Sequence, residues 1–131
     1  MILTGKELVY RGKTLDELKA LDTREFAKLL KSRAKRTVLR QFDLIEKFVK
    51  AGNKKISEGK AIKTHLRHLV VVPAMIGMKI GIHSGKEFIN IQIINEMLGH
   101  RLGEFAATRQ KVQHGAPGIG ATRSSASMSV K

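Results

Sequence analysis

The chain has 131 residues, no cysteine, and 25 Lys and Arg against 11 Asp and Glu, giving a formal charge of +14 and a pI near 10.5. The absence of cysteine excludes disulfides and thiolate metal sites, and the length suits one domain with an extension. Positive charge in this excess points to a polyanionic partner, because self-repulsion opposes a free compact state and phosphate relieves it.

In chain order, Met1-Ile2-Leu3 is interrupted at once by Thr4, Gly5 and Lys6. That is no secretory-signal pattern, so a cytoplasmic protein is expected. Thr14 with Glu17 fits a capping box and predicts a short helix from Leu15 to Leu21. Asp22 with Glu25 repeats the device, and Phe26, Leu29 and Leu30 line one face of a second helix. Val38, Phe42, Ile45 and Val49 form the stripe of a third and longest helix, which is expected to end at Gly52-Asn53, a pair suited to a left-handed cap. Between the second and third stripes lie Lys31, Arg33, Lys35, Arg36 and Arg40 with no acid among them, a candidate phosphate-binding surface.

From Ala61 the pattern turns to β-branched residues. Leu69 to Val72 reads as a strand stopped by Pro73. Ile80 and Ile82 alternate with Gly81 and His83, and Phe88, Ile89, Ile91 and Ile93 form another extended run, with Ser84-Gly85 as the hairpin turn between them. The longest apolar run, Leu69 to Met78, contains Pro73 and Gly77 and is far short of the ~20 residues that span a bilayer, so no membrane role is expected. The stretch from Phe105 to the end contains no acid while carrying Arg109, Lys111, Arg123 and Lys131, and its Gly, Ala and Ser content predicts ordering only against a partner.

Several motifs fail on inspection. In Gly81 to Lys86 the first Gly stands one place too near the Gly-Lys pair for a phosphate loop, and Glu87 occupies the position where Ser or Thr would hold magnesium. Gly118-Ile119-Gly120 is followed by Arg123 where a dinucleotide fingerprint needs Gly. The histidines lack a carboxylate cluster to complete a metal site, and the tail serines cannot be held to a base, so neither a metal, a cofactor nor an active site is expected. With five Phe, one Tyr and no Trp, and the Phe residues mostly at apolar-stripe positions, stacking on unpaired bases is not expected either. The remaining cations and Gly-rich turns suit the sugar-phosphate surface of a folded RNA. On charge alone a DNA-compacting basic protein is the alternative.

Met97-Leu98-Gly99-His100-Arg101-Leu102-Gly103-Glu104-Phe105, then Arg109, then His114-Gly115-Ala116-Pro117-Gly118-Ile119-Gly120-Ala121-Thr122-Arg123-Ser124-Ser125 closely resemble small-subunit ribosomal protein family nineteen. Supporting strings are Ile62-Lys63-Thr64-His65, Pro73 with Met75-Ile76-Gly77, and Gly85-Lys86-Glu87-Phe88; Tyr10 to Leu15 and the long tail look like the archaeal and eukaryotic branch. His68 and Ala74 stand where family members commonly carry acids. The resemblance implies a non-enzymatic constituent of the small ribosomal subunit, bound to ribosomal RNA in the head beside family thirteen. Its tail is implied to run toward the decoding site and tRNA.

The expected fold is α+β: a helical N-terminal half, then a small, mainly antiparallel β-sheet of about three strands, then an extended basic C-terminal tail. Residues 1–52 are expected to be the helical region, 53–109 the α+β RNA-binding core and 110–131 the tail. Phe42, Ile45, Val49, Leu69, Val71, Ile80, Ile82, Phe88, Ile91 and Leu98 are expected to hold the body together. Lys63, His65, Arg67, Lys86, His100, Arg101, Arg109 and Lys111 are expected to grip RNA, Gly85, Gly99 and Gly103 to allow close backbone approach, and His114 and Arg123 to anchor the tail.

Overall fold

The computed structural model describes residues 9–113, 115, 118 and 123–126. Its N-terminal half is four helices: α1 (Leu15–Ala20), α2 (Thr23–Ala27), α3 (Ser32–Arg40) and α4 (Phe42–Ser57). The Thr14 N–H donates to Glu17 Oε2 at 2.9 Å, which satisfies one of the free amides at the start of α1. Asp22 stands at the cap of α2 without a side-chain capping bond.

The single stripe expected from Val38 to Val49 is two helices. Gln41, at φ −109° and ψ 23°, leaves the helical region, closing α3 by donating to Thr37 O and opening α4 by accepting from Ile45 N. The cap expected at Gly52-Asn53 lies inside α4. Gly52 is buried there because Met78 and Ile62 approach it, the nearest atoms being Met78 Sδ at 3.4 Å and Ile62 Cδ1 at 3.6 Å from where a Cβ would stand. The left-handed residue is Gly59, at φ +69°. Its N–H donates to Ile56 O and that of Lys60 donates to Lys55 O, the two bonds of a Schellman cap.

The sheet has three strands in the order β1 (Ile62–Thr64), β2 (Lys79–His83), β3 (Phe88–Gln92). It is mixed. β1 runs parallel to β2, with Lys63 opposite Gly81, and β2 runs antiparallel to β3, with Gly81 opposite Asn90 and His83 opposite Phe88. Residues two apart share a face, so Ile62, Ile80 and Ile82 turn inward to the buried core, while Lys63, Lys79, Gly81, His83, Phe88, Asn90 and Gln92 form the outer face.

Leu69 to Val72 is not a strand of this sheet. All four residues are buried, but they bond to the irregular segment 98–102: Val71 N to His100 O at 2.8 Å, Gly99 N to Val71 O at 3.2 Å and Leu102 N to Leu69 O at 3.0 Å. Gly99, at φ +79°, bends that partner out of a regular ladder. The core joins this segment to Leu18, Phe26, Val38 and Ile45 of the helices, and to Met75, Ile80, Ile82, Ile93, Leu98 and Leu102. Phe88 is not in it. Of the tail, 110–113 is irregular and exposed, and α5 (Arg123–Ala126) is a single helical turn. Among the described residues no helix is long and apolar enough to cross a membrane.

Candidate nucleic-acid interface

Two cationic surfaces stand out. The first is on α3, where Arg33, Arg36, Thr37 and Arg40 recur at helical spacing and so lie along one side. Arg101 reaches this stripe from the segment that bonds to Leu69–Val72, its Nη2 lying 3.4 Å from Thr37 Oγ1, while Thr37 Oγ1 donates to Arg33 O at 3.0 Å. Together with Gln41 these side chains line a cleft of about 240 Å³ that contains no acid. Gln41 Oε1 is buried in the cleft wall without a hydrogen-bond partner. Among the described residues the ion pairs are Lys50–Glu46, Lys60–Glu58 and His100–Glu104, none of them on α3. Among the described residues no ion pair compensates the α3 charge.

The second surface is the outer face of the sheet. His65, just past β1, lies with its ring centroid 4.4 Å from that of His83 and 5.1 Å from that of Phe88, and His83 and Phe88 are 4.9 Å apart. Lys63 Nζ sits 5.4 Å over the Phe88 ring. Lys79, Asn90 and Gln92 are exposed beside them. The Gly85 N–H donates to His83 Nδ1 at 3.1 Å, which leaves Nε2 as that ring's N–H.

The remaining residues expected to grip RNA divide into several environments. Lys86 is exposed on the 84–87 hairpin, where Gly85 takes φ +99° with nothing within 4 Å of a would-be Cβ. Arg109 and Lys111 are exposed after the 3-10 turn Leu102–Phe105, Arg123 is exposed on α5, and His114 lies outside the described residues. His100 Nδ1 is 2.7 Å from Glu104 Oε2. Arg67 is turned inward: Nη1 donates to His83 O at 2.5 Å, and Nη2 to Gly103 O at 2.8 Å and to Ala106 O at 2.6 Å. Gly103 and Gly99 make their close approaches inside the fold. A Cβ on Gly103 would stand 3.0 Å from Arg67 O, and one on Gly99 2.9 Å from the Tyr10 hydroxyl and 3.0 Å from Leu30 Cδ2.

Residues 31–114 match the family described as Ribosomal protein S19, over more than half of the chain. The chain belongs to this family. It is a structural, RNA-binding protein of the small ribosomal subunit and acts in translation. The matched region of this ribosomal protein begins at Lys31, immediately before α3, and contains both cationic surfaces and the Arg67 hydrogen bonds. Sequence reasoning missed Lys79, His83, Asn90 and Gln92 as members of one face, and placed Phe88 in the core. The signal was present: in Phe88-Ile89-Asn90-Ile91-Gln92-Ile93 the isoleucines alternate with everything else, which puts Phe88 with the polar set.

Proposed function

We propose that the chain binds small-subunit ribosomal RNA in the head of the subunit, seating the α3 cleft on the sugar-phosphate backbone of a folded RNA. The observation that carries this reading is the convergence of Arg33, Arg36, Arg40 and Arg101 from two distant parts of the chain around a cleft free of acid. Guanidinium groups match phosphate oxygens two at a time, and their mutual repulsion is relieved only by an anion. Lys63, Lys79, Lys86, Arg109 and Lys111 extend the positive surface on the exposed side of the sheet and beyond it. The protein neighbour in this reading is ribosomal protein family thirteen. The tail from residue 110 extends toward the decoding site and tRNA, within a reach of roughly 70 Å if fully extended. The chain contributes no catalytic step and requires no cofactor.

The test is competition at raised salt, with the full chain bound to a labelled small-subunit head RNA fragment and challenged with duplex DNA of equal charge. Strong preference for the RNA is expected. Neutralising about eight phosphates would give a slope of about −6 to −7 in log affinity against log salt. Equal competition by the DNA would overturn the reading in favour of a DNA-compacting protein, and a slope near zero would remove its electrostatic basis.

A further inference from the structure

The outer face of the sheet has a composition that phosphate binding alone does not explain. It gathers three rings, His65, His83 and Phe88, with centroids 4.4 to 5.1 Å apart, on a surface where His65 is exposed. Beside the rings Gly81 forms a buried floor between the strands, over which the side chains of Asn90 and Lys63 close, their Oδ1 and Cγ lying 3.0 and 3.4 Å from where a Cβ would stand. Around that floor lie exposed amides, Asn90 and Gln92, and exposed ammonium groups, Lys63 and Lys79. Rings supply a stacking surface, amides can both donate to and accept from a base edge, and ammonium groups hold the flanking phosphates.

We propose that this face is a stacking platform for an unpaired nucleobase of RNA, with His65 as the ring on which the base lies and Asn90 and Gln92 at its edge. The inference rests on the RNA-binding reading above and assigns it a second element, one that reads an unstacked base where the α3 cleft reads backbone. His65 is placed for this just past the end of edge strand β1, next to His83, whose Nδ1 accepts from the Gly85 N–H. The competing explanation is that the rings merely strengthen the sheet, since His83 and Phe88 are directly opposed cross-strand partners.

The experiment uses the full chain and two fluorescent 12-nucleotide RNA probes of equal charge, oligo(A) and the same strand with four central abasic nucleotides, compared by anisotropy at one salt concentration. The wild type is expected to bind the intact probe about tenfold more tightly, the scale of losing one stacked base. His65→Ala should abolish that preference while leaving affinity for the abasic probe unchanged, and His65→Phe, which keeps a ring, should preserve it. Phe88→Leu should weaken the preference, and because Phe88 is half-buried its thermal stability is measured alongside. Equal binding of both probes by the wild type overturns the platform. So does a variant set in which melting temperature falls while the preference persists, which would identify the rings as sheet packing. The two readings can fail separately. Loss of the head-RNA preference over duplex DNA sinks the ribosomal interface and leaves the abasic comparison intact, whereas Arg33→Ala, Arg36→Ala and Arg40→Ala combined should weaken both probes equally.

Discussion

Arg67 decides between two accounts of a cation in a basic protein. Its guanidinium donates to three backbone carbonyls on two separate pieces of chain, His83 at the end of β2 and Gly103 and Ala106 in and just after the 3-10 turn Leu102–Phe105, and the Gly103 N–H returns a bond to Arg67 O at 2.8 Å. A hydrogen bond to a charged group contributes ~1.5–3 kcal/mol, but these three share one half-exposed side chain and cannot simply be summed. Arg67→Ala should therefore cost about 3–4 kcal/mol, a large part of the ~5–15 kcal/mol that holds a domain folded. Urea denaturation should show a lower midpoint with an unchanged slope, and the melting temperature should drop by roughly 12 °C or more. Arg67→Lys should recover no more than about 1 kcal/mol, because one ammonium cannot span carbonyls on both segments. If Arg67→Ala costs less than about 1 kcal/mol while RNA affinity falls tenfold, the clamp is wrong and Arg67 is an RNA contact.

The exposed α3 arginines should behave in the opposite way: Arg33→Ala, Arg36→Ala and Arg40→Ala together should reduce the salt slope of RNA binding by about 2–3 without lowering the urea midpoint. A reduced midpoint with an unchanged slope would assign them to the fold. Gly103→Ala places a methyl 3.0 Å from Arg67 O and 3.1 Å from Arg67 Cβ. It should cost about 1–3 kcal/mol by overpacking, and its effect should be non-additive with Arg67→Ala in a double-mutant cycle. Additive effects would mean the two residues do not form one unit. Raising sodium chloride from low ionic strength should increase the melting temperature of the free protein, because screening relieves self-repulsion and the exposed ion pairs at Lys50–Glu46 and Lys60–Glu58 have little to lose. A fall in melting temperature would show that attractive pairs dominate.

The helical half was readable because caps and apolar spacing are local signals. Thr14 with Glu17 announces α1, and the stripes from Phe26 onward announce the next helices. What the spacing could not show is the break at Gln41, since Val38, Phe42, Ile45 and Val49 keep helical intervals across it and only the backbone angles of one residue interrupt them. Gly52 misled for a related reason. A glycine in a helix signals either an end or a close neighbour, and the neighbours here, Met78 and Ile62, are remote in sequence. Leu69–Val72 was read as a strand and is not one, because hydrogen-bonding partners are a tertiary property and its partner is an irregular segment rather than a strand. The same limit governs the site. A string of cations on α3 is visible in the sequence, whereas Arg101 joining it and Arg67 turning away from it depend on where residues 98–106 return.

That division of cations bears on how the protein remains folded. Arg67 spends its charge on carbonyls inside the fold, and the neutral groups it meets leave the net charge unreduced. The α3 arginines have no acid within their cleft, so each adds repulsion to a body whose sheet is three short strands and whose core is correspondingly small. An RNA that binds only the folded state supplies the missing stability by mass action, about 2.7 kcal/mol when its concentration is a hundredfold above the dissociation constant. That is comparable to what the Arg67 clamp contributes. The positive surface that weakens the free chain is thus the feature that lets RNA binding stabilise it, and folding and assembly become one coupled equilibrium rather than two independent ones.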